Sequence, residues 1–97
     1  MFARVSILQG GIEHIDEGIA HYQERLLPEA RKLAGFKGAL LLVDRKTGRN
    51  LGITLWDTER DLYASSAAAN RLQSQGAQAA AALSMPVVEI YEVAVRA

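Results

Sequence analysis

The sequence of 97 residues contains no cysteine, only two prolines and six aromatic residues (three Tyr, two Phe and one Trp), and its 11 basic residues balance its 11 acidic ones. Without cysteine the chain can form no disulfide, thiolate metal site or thiol nucleophile. Because nothing favours an oxidising compartment, we expect a cytoplasmic protein. A chain of this length predicts a single domain, residues 1–97.

Clustered positive charge and long apolar segments are also missing. No run of basic residues exceeds the pairs Arg31-Lys32 and Arg45-Lys46, which argues against a protein that binds a phosphate backbone. Residues 1–8 lack the apolar stretch of a signal peptide. The longest uncharged segment, 72–88, contains glutamines, a glycine and a proline that are costly in lipid. We therefore expect neither a nucleic acid nor a membrane as partner.

Alternation of apolar and polar residues predicts four strands. The first covers residues 2–8, the second covers 36–43, the third carries Leu51, Ile53 and Leu55, and the last includes the apolar residues from Val87 to Val95. The polar segment 44–49 contains Gly48, placed for a positive φ, and predicts a hairpin between the second and third strands.

Two helices are predicted between these strands. Apolar residues from Ile12 to Leu33 recur at steps of three and four, and Pro28 predicts a kink or a break after Leu26. The second helix begins at a cap formed by Asp57 or Thr58. It continues through an alanine-rich segment, 64–82, with 74–76 as a candidate break and Pro86 as its end.

The resulting order β-α-β-β-α-β predicts an α+β, ferredoxin-like fold, with a four-stranded antiparallel sheet and both helices on one face. The second strand is apolar on both parities, with Leu41 and Val43 on one side and Leu40 and Leu42 on the other. An exposed apolar sheet face is larger than a monomer normally tolerates. We therefore expect an obligate homodimer in which the two sheets pack face to face.

Three segments carry a resemblance to a known family. They are Gly35-Phe36-Lys37-Gly38-Ala39, the hairpin leading through Trp56 into the acidic cap of the second helix, and the closing Tyr91-Glu92-Val93. In a βαββαβ chain of this length, they resemble the antibiotic biosynthesis monooxygenase family over nearly the whole chain. The resemblance implies a dimeric α+β barrel with a pocket in each subunit, between helices and sheet. The family includes cofactor-free monooxygenases of aromatic polyketides and heme-degrading enzymes.

The family's functional positions match this chain only at Trp56. Heme-degrading relatives combine such a tryptophan with an asparagine on the first strand and a histidine on the second helix. Here the first strand offers Arg4 and Ser6, and the second helix has no histidine, which argues against heme degradation. The polyketide oxygenases place an asparagine four residues before the tryptophan and a tyrosine six after it. Gly52 and Leu62 occupy these positions.

Side chains near these positions are candidate ligand contacts. Asn50 shares the strand face of Trp56, and Tyr63 lies one residue beyond the family's tyrosine position. Gly52, on the same face, leaves room for a planar ligand. The alternative for Trp56 is ordinary packing under a helix, with its N–H bonded inside the protein.

Arg4 and Tyr22 complete the predicted ligand-binding set. Arg4 can clamp a carboxylate or quinone oxygen if its side chain faces the helices, and it is an edge-exposed residue otherwise. Tyr22 lies on the apolar stripe of the first helix, where it orients a ligand or caps the core with a wet hydroxyl.

The chain's two histidines, His14 and His21, lie seven residues apart on the first helix. That spacing separates them by roughly 10 Å along the axis, too far to bind one metal. Either can carry a proton near neutral pH, and His21, beside Tyr22, is our candidate for that role together with Trp56 as the second catalytic candidate. The alternative is a pair of solvated histidines on the polar side of the helix.

These observations predict a pocket for a small aromatic or hydrophobic molecule near Trp56. The resemblance implies oxygen insertion without a metal or organic cofactor: an electron-rich phenol is deprotonated, and its anion reduces O₂ in a dry pocket. The alternative is a non-catalytic dimeric binding or accessory protein that kept the fold.

Overall fold

The computed structural model describes residues 1–79, 81, 82 and 86–97, without the side chain of residue 73. Its four strands are β1 (Phe2–Gln9), β2 (Phe36–Val43), β3 (Arg49–Trp56) and β4 (Val87–Glu92). They form one sheet in the order β2-β3-β1-β4, and every neighbouring pair is antiparallel. With the helices between β1 and β2 and between β3 and β4, this is the predicted α+β, ferredoxin-like fold.

The first helical segment changes its hydrogen-bonding register along its length. It comprises a 3₁₀ turn (Ile12–His14), α1 (Ile15–His21), a π-helical turn (Tyr22–Leu26) and α2 (Leu27–Ala30). The Leu27 N–H donates to the Tyr22 carbonyl, five residues back. Pro28 has no N–H, and the wider π turn before it accommodates the missing bond without a break. The distortion expected after Leu26 therefore lies before it.

The second helical segment is interrupted earlier than expected. It comprises α3 (Glu59–Ala64) and α4 (Ser66–Ala79), and Thr58 caps α3 by accepting the Asp61 N–H at 3.0 Å. The candidate break at 74–76 was wrong, because these residues lie within α4. The break is at Ser65, whose hydroxyl donates to the Leu62 carbonyl at 2.6 Å. The prediction that Pro86 ends this helix was wrong, because α4 ends at Ala79: the Ala82 N–H donates to the Ala77 carbonyl at 2.9 Å, and Ala81 has a φ of +50°.

The hairpin between β2 and β3 closes as predicted. Gly48 has a φ of +81°, and its N–H donates to the Asp44 carbonyl at 2.9 Å. Its carbonyl accepts the Gly10 N–H at 3.0 Å, which ties the hairpin to the end of β1. A side chain at position 48 would collide with the Gly10 backbone, so glycine is required there for two reasons.

The last strand is shorter than expected. Its pairing with β1 ends at Phe2 and Glu92. The Val93 N–H donates to the Met1 carbonyl at 2.9 Å, and the chain then leaves the sheet. Val95, which the alternation assigned to the strand, is 89% exposed.

Alternate strand residues face opposite sides of the sheet. One side packs against the helices, where Leu62 and Trp56 are fully buried. The other side, which we call the open face, is uncovered, and Leu40 and Leu42 there are 54% and 50% exposed. Strand parity and register assign to the open face Val5, Ile7, Leu40, Leu42, Leu51, Ile53, Val87 and Tyr91. Among the described residues, no helix combines the length and apolar character needed to cross a bilayer.

Candidate functional site

A cavity of about 100 Å³ lies between the sheet and the helical segments. Strands β1, β2 and β3 form its floor, and α1, the π turn and α4 form its roof. Most of the lining is aliphatic, including Ile15, Ile19, Leu41, Ala69 and Leu72. Because engineered cavities of about 150 Å³ bind benzene, this cavity is of the order needed for one small ring.

Arg4 projects from β1 into this cavity and is only 5% exposed. Its Nη1 donates to Ser65 Oγ at 2.9 Å, and its Nη2 donates to the Leu62 carbonyl at 2.7 Å and to Ser66 Oγ at 3.2 Å. The guanidinium therefore connects the middle of the sheet to the junction between α3 and α4. The Leu62 carbonyl also accepts from Ser65, so the break between the two helices and the position of Arg4 depend on each other.

The positive charge of Arg4 has no acidic partner. Among the described residues no carboxylate lies within 4 Å of its guanidinium, and the ion pairs present, such as Arg45 with Asp16, are exposed. The residues outside the described part include no acidic residue. Burial lowers the pKa of Arg4 below its ordinary value, because the charged form loses hydration. In the described part of the chain, the charge is met by neutral acceptors and by the Trp56 ring, 6.0 Å away.

Trp56, at the end of β3, forms part of the wall of the cavity with its ring. It is 1% exposed, and its Nε1 donates to Thr54 Oγ1 at 3.0 Å. Phe36 packs against it edge to face, with ring centroids 5.7 Å apart. The indole N–H is thus used inside the protein, and Trp56 meets the cavity as an apolar surface beside Arg4.

His21, at the end of α1, lines the cavity and contacts α4. Its Nε2 lies 3.2 Å from the Leu72 carbonyl oxygen. Since a carbonyl only accepts hydrogen bonds, the neutral ring carries its proton on Nε2, and Nδ1 keeps a free lone pair. The ring also lies against Gly76, where an added Cβ would be 3.1 Å from His21 Cδ2. The other histidine, His14, is exposed and lies 3.7 Å from Glu17.

Tyr22 is fixed by the sheet rather than free to move. Its hydroxyl lies 3.0 Å from the Leu40 carbonyl and 3.2 Å from that of Ile53, two residues that are register partners on β2 and β3. Burial raises the pKa of Tyr22 to about 12. Its ring occupies the space above Gly52, where an added Cβ would be 3.3 Å from Tyr22 Cε2. The room predicted for a ligand at Gly52 is therefore filled by Tyr22.

The structure brings together most of the candidate residues. Arg4, His21, Tyr22, Asn50 and Trp56 all line the cavity. Tyr63 does not line it and is 54% exposed, because it follows the buried Leu62 on α3 and so turns to another side of the helix.

Sequence reasoning missed Ser65, which accepts a hydrogen bond from Arg4, and Gly76, whose lack of a side chain leaves room for the His21 ring. The signal for Ser65 is a pair of serines, Ser65-Ser66, inside an alanine-rich helical segment. Within the described part of the chain, no three histidine, aspartate or glutamate side chains cluster closely enough to hold a metal ion.

The sequence is similar to proteins of Mycobacterium tuberculosis. The uncharacterized protein Rv2557 is 32% identical over 94 residues, which cover 97% of this chain and 41% of that protein. This chain therefore spans about two fifths of the length of the curated relatives it matches. No family model matches the chain.

Solved structures show the same fold at low identity. A monooxygenase from the gene ActVA-Orf6 of Streptomyces coelicolor, in complex with nanaomycin D, gives a TM-score of 0.80 at 11% identity, covering 99% of this chain and 89% of that one. The heme-degrader MhuD from M. tuberculosis, with two hemes in its active site, gives 0.75 at 16% identity, covering 100% and 99%.

A third structure, SnoaB, a cofactor-independent oxygenase from Streptomyces nogalater, gives a TM-score of 0.67 at 15% identity, covering 98% of this chain and 94% of that one. Further matches are described as antibiotic biosynthesis monooxygenases. The chain therefore has the fold of antibiotic biosynthesis monooxygenases, as the resemblance predicted. At these identities the likeness shows the fold alone.

Proposed function

We propose that the cavity binds a small aromatic compound and that the chain is a cofactor-independent monooxygenase. The observation that carries the proposal is the presence of one candidate proton acceptor, His21, and one cation, Arg4, among the residues that line a largely aliphatic cavity. Such a wall excludes water, so a charge formed on a bound substrate interacts strongly with the few polar groups present. The cofactor-independent oxygenase SnoaB and the monooxygenase from ActVA-Orf6 have the same fold, which supports the proposal.

The chemistry requires no external reductant. A phenol and one O₂ give a quinone and one water, because the substrate supplies all four electrons and one oxygen atom enters the ring. His21 Nδ1 accepts the phenolic proton, and Arg4 stabilises the resulting anion, which transfers an electron to O₂. Tyr22 takes no part in proton transfer, because its hydroxyl is bonded to backbone carbonyls and burial raises its pKa to about 12.

A second copy of the chain is proposed to cover the open face. The apolar side chains there, such as Leu40 and Leu42, form a surface of a kind that monomers rarely expose. A two-fold partner brings the same apolar surface to the contact, so the interface is self-complementary. The dimeric α+β barrel implied by the sequence resemblance uses the sheet in this way. The cytoplasmic location inferred from the lack of cysteine stays a prediction.

The monooxygenase proposal is tested by oxygen uptake with a panel of mono- and dihydroxyarenes. We expect uptake that consumes one O₂ per quinone formed, and we expect His21→Ala to lower the rate by about 10²-fold or more because the proton acceptor is gone. His14→Ala is the matched control, since His14 is exposed. The absence of uptake with every member of the panel, or equal rates for His21→Ala and wild type, would overturn it.

A non-catalytic binding protein is the second candidate. It is favoured by the internal use of the Trp56 N–H and by the filled space at Gly52, which leave fewer free polar groups than an oxygenase needs. A binding protein loses affinity for an aromatic ligand in Trp56→Phe or Arg4→Met and consumes no oxygen with wild type. Oxygen uptake therefore separates the two candidates.

A further inference from the structure

We infer that Arg4 binds an anionic oxygen of the ligand, so that the cavity takes an aromatic acid in its ionised form, as a carboxylate or an ionised phenol. The inference rests on the proposed function only in placing an aromatic ligand in this cavity. It does not depend on oxygen chemistry, because a binding protein and an oxygenase would hold the anion in the same way.

The hydrogen bonds of Arg4 leave part of its capacity free. A guanidinium has five N–H groups, and three of them are donated to Ser65 Oγ, the Leu62 carbonyl and Ser66 Oγ. These bonds fix the orientation of the side chain at the cavity wall. All three acceptors are neutral, so the bonds position the charge without neutralising it.

The surroundings supply only partial compensation for the buried charge. Leu62 is in the last turn of α3, and the carbonyl end of a helix carries a partial negative charge that favours a cation. The face of Trp56 adds a weak attraction at 6.0 Å. Neither equals a full negative charge, and burial of an unpaired charge is unfavourable. An anion in the cavity would complete the site.

The remainder of the cavity fits the body of such a ligand. Ile19, Leu41 and Ala69 line it with aliphatic groups that would contact an aromatic ring. Among the described residues that line the cavity, none is acidic and would repel an anion, and the titratable ones besides Arg4 are His21 and Tyr22. Tyr22 stays neutral at the pH values used below, since burial raises its pKa to about 12.

The first experiment compares benzoate with benzamide, which has nearly the same shape but no charge. Isothermal titration of the wild-type protein at neutral pH is expected to give benzoate an affinity about tenfold or more above that of benzamide, because hydrogen bonds to charged groups are the stronger ones. The preference should survive raised salt, which screens exposed charges far more than buried ones. Equal affinities, a preference that disappears with salt, or binding of neither compound would exclude carboxylates, and the inference would then stand or fall on the ionised phenol of the third experiment.

The second experiment assigns the preference to Arg4. In Arg4→Met, benzoate is expected to bind no better than benzamide, whereas Arg4→Lys keeps part of the preference because the charge remains without the planar fork. Arg45→Met, at an exposed arginine, is the matched control and should bind both compounds as wild type does. A benzoate preference that persists in a folded Arg4→Met would contradict the assignment. If Arg4→Met does not fold, the ratio of benzoate affinity to benzamide affinity, compared between wild type and Arg4→Lys, still tests the assignment.

The third experiment distinguishes the two sources of the anionic oxygen. 4-Nitrophenol reports its own ionisation by absorbance, so the pKa of the bound phenol can be read directly. A pKa below that of free 4-nitrophenol in wild type, and not in Arg4→Met, shows that Arg4 accepts ionised phenols. A lowered pKa together with the benzoate preference supports the general anion site, and benzoate preference alone restricts the ligand to carboxylates. An unshifted or raised pKa with no benzoate preference would overturn the inference.

These readouts separate the inference from the proposed monooxygenase activity. A benzoate preference without oxygen uptake would leave the anion site standing and remove the monooxygenase. Oxygen uptake by a protein that prefers benzamide and neutral phenols would support the monooxygenase and remove the anion site.

Discussion

The two faces of the sheet are built from alternate residues of the same strands, yet one buries polar side chains and the other exposes apolar ones. The helix side buries Arg4 and Ser65, and no buried side-chain nitrogen or oxygen atom in the described part of the chain lacks a hydrogen-bond partner. The open face presents apolar side chains that are about half exposed, such as Leu40 and Leu42. Because the side-chain period of a strand is two, neighbouring residues can serve two functions at once.

The two faces therefore carry separate proposed roles. In the proposed function, polar residues that face the helices, such as Arg4 and Thr54, select the ligand of the cavity. Apolar residues that face away, such as Leu40 and Leu42, determine what the sheet can pack against. Substitutions on the open face should therefore leave ligand binding intact, and substitutions on the helix side should leave dimerisation intact.

The largest effect is expected from Trp56→Ala, which removes packing on the helix side of the sheet. Removing a fully buried indole should lower the free energy of unfolding by about 3–5 kcal/mol, because both burial and packing with Phe36 are lost. Val95→Ala is the control, since that side chain is 89% exposed, and should change it by no more than about 0.5 kcal/mol. Denaturant unfolding measures both. A loss for Trp56→Ala no larger than that of the control would contradict the structure.

The second largest effect is expected from charged substitutions on the open face, which disrupt the proposed dimer contact. The double variant Leu40→Lys and Leu42→Lys should weaken the proposed dimer about a hundredfold or more, because charges would be buried between the sheets without partners. Sedimentation velocity measures the dissociation. Affinity of the resulting monomer for benzoate should equal that of wild type, since neither residue lines the cavity. If benzoate binding is lost along with the dimer, the two faces are not independent.

A smaller effect is expected from Gly76→Ala, which tests whether the position of the His21 ring matters for activity. An added Cβ would lie 3.1 Å from His21 Cδ2, so the ring must shift by a few tenths of an ångström. We expect oxygen uptake to fall about tenfold because the proton acceptor moves. Stability should hold, because alanine is favoured over glycine inside a helix by up to about 1 kcal/mol. Gly11→Ala is the control, where the nearest contact is an ordinary 3.4 Å. Unchanged uptake would show that the position of His21 does not matter.

The smallest effect concerns pH and Tyr22. Its pKa is raised from 10.0 to about 12 in the folded protein, so the folded state holds the phenolic proton more tightly than the unfolded state. Stability from this group is therefore complete below pH 10 and is lost as the pH rises toward 12. Tyr22→Phe should remove this loss, whereas Tyr63→Phe, at a half-exposed ring, should keep it. Thermal unfolding across this pH range is the measurement, and identical profiles for wild type and Tyr22→Phe would refute it.

Local patterns were sufficient to predict the strands and the hairpin. Alternation determines which residues of β2 share a face, and the positive φ at Gly48 follows from a tight turn that only glycine adopts without strain. The same reasoning placed Asn50 on the strand face of Trp56, because parity within a strand determines it. It left the orientation of Arg4 open, and in the structure Arg4 pairs with Thr54 and lies on that same side of the sheet.

Features that depend on distant partners were not predictable. At the break, the Ser65 hydroxyl and the Leu62 carbonyl accept hydrogen bonds from Arg4, which is 61 residues from Ser65 in sequence. The filled space at Gly52 likewise depends on Tyr22, a residue from another element. No local periodicity contains this information, since it arises only when helices and sheet pack together.

Native mass spectrometry of the wild-type protein with benzoate tests most directly whether each subunit has its own ligand cavity and contacts its partner through the open face. One spectrum reports the number of subunits and the number of bound ligands. We predict a dimer of two 10.5 kDa subunits that carries two benzoate ions. A lone 10.5 kDa subunit would contradict the proposed use of the open face, and a dimer with one benzoate or none would contradict a complete cavity in each subunit.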